Sequence, residues 1–132
     1  MKRLPLLTVL LLLACGHDSP TESTSCSAVA GSYRAAGANS CGGSYSGQPV
    51  TISQSGCSFT GAIPGGSLTG TILSSTSATF TLVIAPPCGG TVSGTATFSS
   101  LAVNGTYTGT VTSSGPGCCP LGPISGSFTL TR

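Results

Sequence analysis

A five-residue pattern recurs seven times between residues 29 and 128: an apolar residue, any residue, glycine, a small residue and an apolar residue again, as VAGSY, FTGAI, LTGTI, VSGTA, VNGTY, YTGTV and ISGSF. In an extended chain successive side chains point to opposite faces, so each copy puts its two apolar residues and its glycine on one face and its small polar residues on the other. Over 101–112, for example, Leu101, Val103, Gly105, Tyr107, Gly109 and Val111 share one side, while Asn104, Thr106, Thr108, Thr110 and Thr112 share the other. A glycine on the apolar face of a strand permits a sharp bend or the close approach of a neighbouring side chain. Strongly coiled strands with small inward residues are what a narrow closed barrel requires, and closure removes the exposed edges that invite aggregation.

The same alternation predicts eight strands, over 28–35, 49–54, 57–63, 67–73, 78–84, 90–98, 101–112 and 123–131, with turn-forming Gly, Pro, Asn and Ser between them and no helix signal. The expected fold is all-β: a small antiparallel up-and-down barrel, or a two-sheet sandwich of the same strands. The connections over 35–48, 85–90 and 113–122 read as long and share one end; those over 55–56, 74–77 and 99–100 read as tight. Strands mostly shorter than the ~9 to 11 residues of a membrane-crossing strand, with no aromatic girdles, argue against a barrel that spans a bilayer. Outward Thr residues in T-x-T runs are ordinary polar strand formers.

Before this domain the chain opens with Lys2 and Arg3, continues through an apolar run from Leu4 to Leu13 and reaches Ala14 and Cys15, the plan of a cleaved export signal over residues 1–14. The segment Leu12-Leu13-Ala14-Cys15 resembles the lipobox of bacterial lipoproteins. That resemblance implies a lipidated Cys15, a membrane partner through several acyl chains, and a bacterial envelope address. Gly16 after the cysteine implies the outer membrane. Residues 15–25, ending in GHDSPTESTS, have the composition of a spacer, and 26–132 suit one small domain. Loss of Lys2 and Arg3 changes the charge from +2 to zero, with Arg34 and Arg132 set against Asp18 and Glu22. Nucleic acid is thereby excluded as a partner, since it requires clustered basic residues. In strand count and glycine placement the domain is loosely similar to lipocalin-like and avidin-like up-and-down barrels, a resemblance that carries over no ligand and no binding residue.

Setting Cys15 aside, Cys26, Cys41, Cys57, Cys88, Cys118 and Cys119 form an even set in an exported small domain, which reads as three disulfides. In a meander alternate connections lie at opposite ends. Cys26 and Cys57 then fall at one end and are expected to pair, while Cys41 and Cys88 at the other end are each expected to join one of the adjacent Cys118 and Cys119. The bonds offset the conformational entropy that so glycine-rich a domain loses on folding. A metal site is not expected, because the adjacent cysteines lack zinc-ligand spacing and the domain has no His.

From Cys26 onward the chain contains no Asp, Glu, His, Lys or Trp, and its charged side chains are Arg34 and Arg132. General acid–base chemistry needs a group that exchanges a proton near neutral pH, and a nucleophilic Ser needs a base beside it. The expectation is therefore a non-enzyme without a cofactor: an envelope lipoprotein whose domain is a structural or protein-interaction module. Two other readings use the same residues. The domain could carry a small apolar ligand among Tyr33, Phe59, Phe80, Phe98, Tyr107 and Phe128, or inhibit an enzyme through a disulfide-braced 113–122 loop. A ligand or partner is expected at the long-loop end, near Arg34, Asn39, Tyr45 and Gln48. A hollow barrel favours the carrier, a protruding loop the inhibitor, and a filled barrel the structural module.

Overall fold

The computed structural model describes residues 26–132; Cys15, the signal segment and the spacer lie outside the described residues. Eight strands follow in order: β1 (Gly31–Asn39), β2 (Ser44–Ser55), β3 (Ser58–Ile63), β4 (Gly66–Ile72), β5 (Ser77–Ile84), β6 (Gly89–Phe98), β7 (Ala102–Ser113) and β8 (Gly122–Thr131). Each pairs antiparallel with the next, and β1 pairs with β8 through Ala35↔Leu130 and Asn39↔Gly126, so the sheet closes into a barrel rather than splitting into a sandwich. Closure satisfies the backbone of both would-be edge strands.

Burial alternates along most strands in the way the sequence pattern dictates, and is interrupted in β2, where residues 46–49 are all exposed. In β6, Val92 and Ala96 are buried while Thr91, Ser93, Thr95 and Thr97 are exposed. In β7 the outward Asn104, Thr106, Thr108 and Thr110 are exposed as well. Five strands reach nine residues or more, so strand length does not argue against a membrane-crossing barrel. The outer face does: lipid-facing positions must be apolar, and here Thr69, Thr71, Thr79, Thr95 and Thr106 stand side by side on exposed positions.

The structure corrects the long connection expected over 35–48. Strand β1 continues to Asn39 and β2 begins at Ser44, leaving a turn at 40–43. Asn39 closes that turn: its N–H donates to the Gly43 carbonyl at 2.9 Å, and its Oδ1 accepts the Gly43 N–H at 2.8 Å. The stretch AAGAN carries no apolar alternation because its inward positions are small: the ring of Tyr45, directly opposite, fills the room left by Gly37.

At the end holding the β2–β3, β4–β5 and β6–β7 turns, residues 26–30 fold across the opening as a floor. Gln54 secures this segment with two hydrogen bonds and ties it to the β2–β3 turn with a third. Its Oε1 accepts the Val29 N–H at 2.7 Å, and its Nε2 donates to the carbonyls of Ser27 and Gly56 at 3.0 and 2.9 Å. The Tyr33 hydroxyl donates to the Val29 carbonyl at 2.8 Å and accepts from Arg132 Nη2 at 2.9 Å, while the guanidinium lies 5.1 Å from the Tyr33 ring centroid. The disulfide between Cys26 and Cys57 fixes the segment covalently to the β2–β3 turn.

Candidate ligand-binding site

Inside the barrel is a lumen of about 520 Å³ that runs from Val29 in the floor to Pro64, Gly65, Cys88, Gly117, Cys118 and Cys119 at the opposite end, the mouth. Ligand pockets commonly measure ~300 to 1,000 Å³. The wall is aliphatic and aromatic, with Val50, Ile52, Leu82, Val92 and Ile124 among the aliphatic residues, and no charged residue lines it.

The cavity exists because of how the aromatic rings are seated. Each lies against the wall, over a glycine of the adjacent strand in direct register: Phe59 over Gly70, Phe128 over Gly105, Tyr107 over Gly126 and Tyr45 over Gly37. A Cβ at any of these glycines would collide with the ring above it. Glycine thus supplies the depth of one methyl group beneath each ring, and the rings flatten outward instead of meeting in the centre. Phe80 and Phe128 meet edge to face, with centroids 5.4 Å apart and planes at 79°, a favoured aromatic geometry. Phe59, Phe80, Phe98, Tyr107 and Phe128 all line the lumen; Tyr33, grouped with them from the sequence, belongs to the floor.

Of the four residues expected at the ligand end, Asn39, Tyr45 and Gln48 line the lumen. Tyr45 and Gln48 are three apart and would face opposite ways in a regular strand. A β-bulge brings them to the same side: Ala35 pairs with Gln48 but Gly37 pairs with Tyr45, so β2 carries one residue more than β1 here. Gly47, at φ +66°, absorbs the extra residue in a conformation that side-chain-bearing residues rarely adopt. Arg34 is different. It stands between the inward Tyr33 and Ala35, so strand alternation turns it to the outer wall, where Nη1 donates to the Gly47 carbonyl at 3.2 Å.

Besides Asn39 and Gln48, the polar groups of the lumen include a pair of tyrosines. Tyr45 reaches across from β2 and Tyr107 from β7, and their hydroxyls meet over the seam where β1 joins β8. The two hydroxyls are hydrogen-bond partners. Burial, then the charge of Tyr107 and the hydrogen bond with it, push Tyr45 up to about 12. Tyr107 is also raised by burial, and the bond with Tyr45 partly offsets that. The sequence marked Tyr107 only as an aromatic; its role was readable from register, since Gly126 directly opposite leaves room for the ring to reach the seam.

At the mouth, Cys41 is bonded to Cys119 and Cys88 to Cys118, with Cα–Cα separations of 5.7 and 5.5 Å. The β7–β8 connection is drawn onto the rim, with Gly117, Cys118 and Cys119 lining the lumen. Among the described residues no group of three His, Cys, Asp or Glu is placed to hold a metal ion.

No protein-family model matches the chain. No curated protein matches it either. Among solved structures the barrel is similar to EF1p2_mFAP2b bound to DFHBI, with a TM-score of 0.61 and 14% identity over 78% of this chain and 92% of that one. At that identity the likeness is one of fold.

Proposed function

We propose that this domain is a carrier that holds a small, uncharged, chiefly apolar ligand inside its barrel, presented at the bacterial envelope by a lipid on Cys15. The observation that carries the reading is the lumen itself: inward glycines hold the aromatic rings against the wall and leave about 520 Å³ among apolar side chains. A core whose sole task was stability would be packed to crystal-like density. The similar barrel bound to DFHBI lends support at the level of fold. The floor end receives the chain from the spacer, so the mouth faces away from the anchor. Acid, base and metal chemistry have no residues to use from Cys26 onward, and the domain acts by binding rather than by catalysis.

Equilibrium dialysis of 2-ethylnaphthalene against the full protein in lipid nanodiscs, with empty nanodiscs as the blank, tests the reading. Saturable binding of one probe per chain is expected. Ala96→Phe, which adds a ring at a buried position on the lumen wall, should abolish that binding while the far-ultraviolet spectrum stays unchanged. Absence of saturable binding, or equal binding by the folded Ala96→Phe protein, would refute it.

A further inference from the structure

Four loops surround the mouth, and three of the four junctions between them are tied. The β7–β8 connection is joined to the β1–β2 turn by the Cys41–Cys119 disulfide and by the Ser40 N–H, which donates to the Ser125 carbonyl at 2.8 Å. The Cys88–Cys118 disulfide joins it to the β5–β6 connection on its other side. That connection is held in turn to the β3–β4 turn, where the Ala85 N–H donates to the Gly65 carbonyl at 2.8 Å. The fourth junction, between β2 and the β3–β4 turn, is different. Pairing of β2 with β3 starts at Thr51↔Ala62 and runs toward the floor, so residues 44–50 have no strand partner on that side. Among the described residues no disulfide or backbone hydrogen bond crosses the gap above them. Residues 46–49 are exposed on one bank, and Pro64 and Gly65 on the other. A Cβ at Gly47 or at Gly65 would meet nothing within 4 Å. Gln48, Pro64 and Gly65 nevertheless line the lumen. Residues that face both water and the lumen border a side opening in the wall, a portal.

We propose that this portal takes the polar end of the guest, so that the ligand class is an amphiphile with one uncharged polar end: the apolar body lies in the lumen, and the polar end leaves the barrel between Gln48 and the Pro64–Gly65 turn. The assignment deepens the carrier reading and rests on it. A polar group held against the aliphatic and aromatic wall loses its hydration without replacement. In the portal the same group keeps its contact with water. The Gln48 side chain, which has no hydrogen-bond partner among the described residues, offers it both donors and an acceptor. The portal also changes the limit on size. The lumen of about 520 Å³ bounds the apolar body of the guest, whereas the polar end extends into solvent and is not bounded by it.

Two probes with one ring system test this: 2-ethylnaphthalene, and the same molecule carrying on the end of its ethyl group a long poly(ethylene glycol) chain, uncharged and too bulky for the lumen. Each is dialysed against the full protein in lipid nanodiscs, with empty nanodiscs as the blank. The glycol probe is expected to bind one per chain and to displace 2-ethylnaphthalene. A nitroxide placed on the glycol next to the ring then locates the polar end by nuclear magnetic resonance. It should broaden the backbone amide signals of Gly47, Gln48 and Gly65 most strongly. Broadening centred on Gly117 and Cys118 would put the polar end at the end-on opening, and broadening centred on Ser27 and Val29 would put it at the floor. Either pattern, or exclusion of the glycol probe while 2-ethylnaphthalene binds, overturns the portal assignment and leaves the lumen reading standing. If neither probe binds, both fail.

Discussion

The seating of rings on glycines makes a prediction whose sign runs against ordinary expectation. Gly105 sits in the middle of β7 with a φ outside the left-handed region, so alanine fits its backbone. Relieving a strand interior of glycine normally stabilises a protein by ~0.5 to 1 kcal/mol, because the unfolded chain loses freedom. Here the new Cβ would lie within the radius of Phe128 Cζ and Cε1 and 2.8 Å from the Thr95 carbonyl. The ring cannot yield freely, since its other side meets Phe80 edge to face at 5.4 Å. Overpacking costs about 1 to 3 kcal/mol, and contacts this short fall in the upper half of that range, so after an entropic gain of up to ~1 kcal/mol the net loss for Gly105→Ala is about 1 to 2 kcal/mol. In a domain of this size that lowers Tm by roughly 4 to 16 °C. Thermal unfolding followed by circular dichroism, with disulfides intact, measures it. The same substitution in a Phe128→Ala background should cost much less, because the obstructing ring is gone. A higher Tm for Gly105→Ala, or an equal loss in both backgrounds, would refute the ring-on-glycine account of the lumen.

Two further outcomes follow from the floor and the tyrosine pair. Replacing Cys26 and Cys57 together with Ser opens a loop of sequence separation 31 and should lower stability by about 3.7 kcal/mol on the loop-entropy relation, read from urea unfolding midpoints; an unchanged midpoint would mean that the Gln54 bonds alone hold the floor. Because Tyr45 is raised to about 12 from the ordinary 10, its folded form keeps the proton that the unfolded chain releases. Its contribution is thus complete below pH 10 and is lost as pH climbs toward 12. Alkaline unfolding should begin in that window and shift in Tyr45→Phe, while absorbance near 295 nm should show a late tyrosine step toward pH 12 with Tyr107 also raised; a titration with no late step would contradict the pairing.

Much of the barrel was legible because its signal is local. Alternation over Val92, Gly94 and Ala96 or over Val103, Gly105 and Tyr107 encodes the inner face directly, and the parity of a meander sorts the cysteines to two ends before any coordinates are known. The signal fails where side chains are small or register is irregular. Ala35, Gly37 and Asn39 give no hydrophobic beat, so β1 is not seen to run on past 35, and the bulge at Gly47 that turns Tyr45 and Gln48 to the same side depends on pairing between strands. Arg34 was misplaced as a consequence: once 35–48 is read as a loop, a residue beside it goes to the mouth, although the alternation around Tyr33 already sends it outward. Gln54 and Arg132 gave no local sign of their part in the floor, since each acts on residues distant in sequence.

Adjacent cysteines that bond in different directions also bear on how fast a guest could exchange. Cys118 and Cys119 tie the β7–β8 connection to both the β5–β6 and the β1–β2 connections, so three of the four loops around the mouth form one covalent hoop. The fourth, at Pro64 and Gly65, is joined to its neighbour by hydrogen bonds, among them Ala85 N–H to the Gly65 carbonyl at 2.8 Å. An aperture built this way does not gape as a whole. Passage would depend on local opening of one hydrogen-bonded lip, which makes residence time a property of that turn and of the redox state of the hoop rather than of the depth of the lumen.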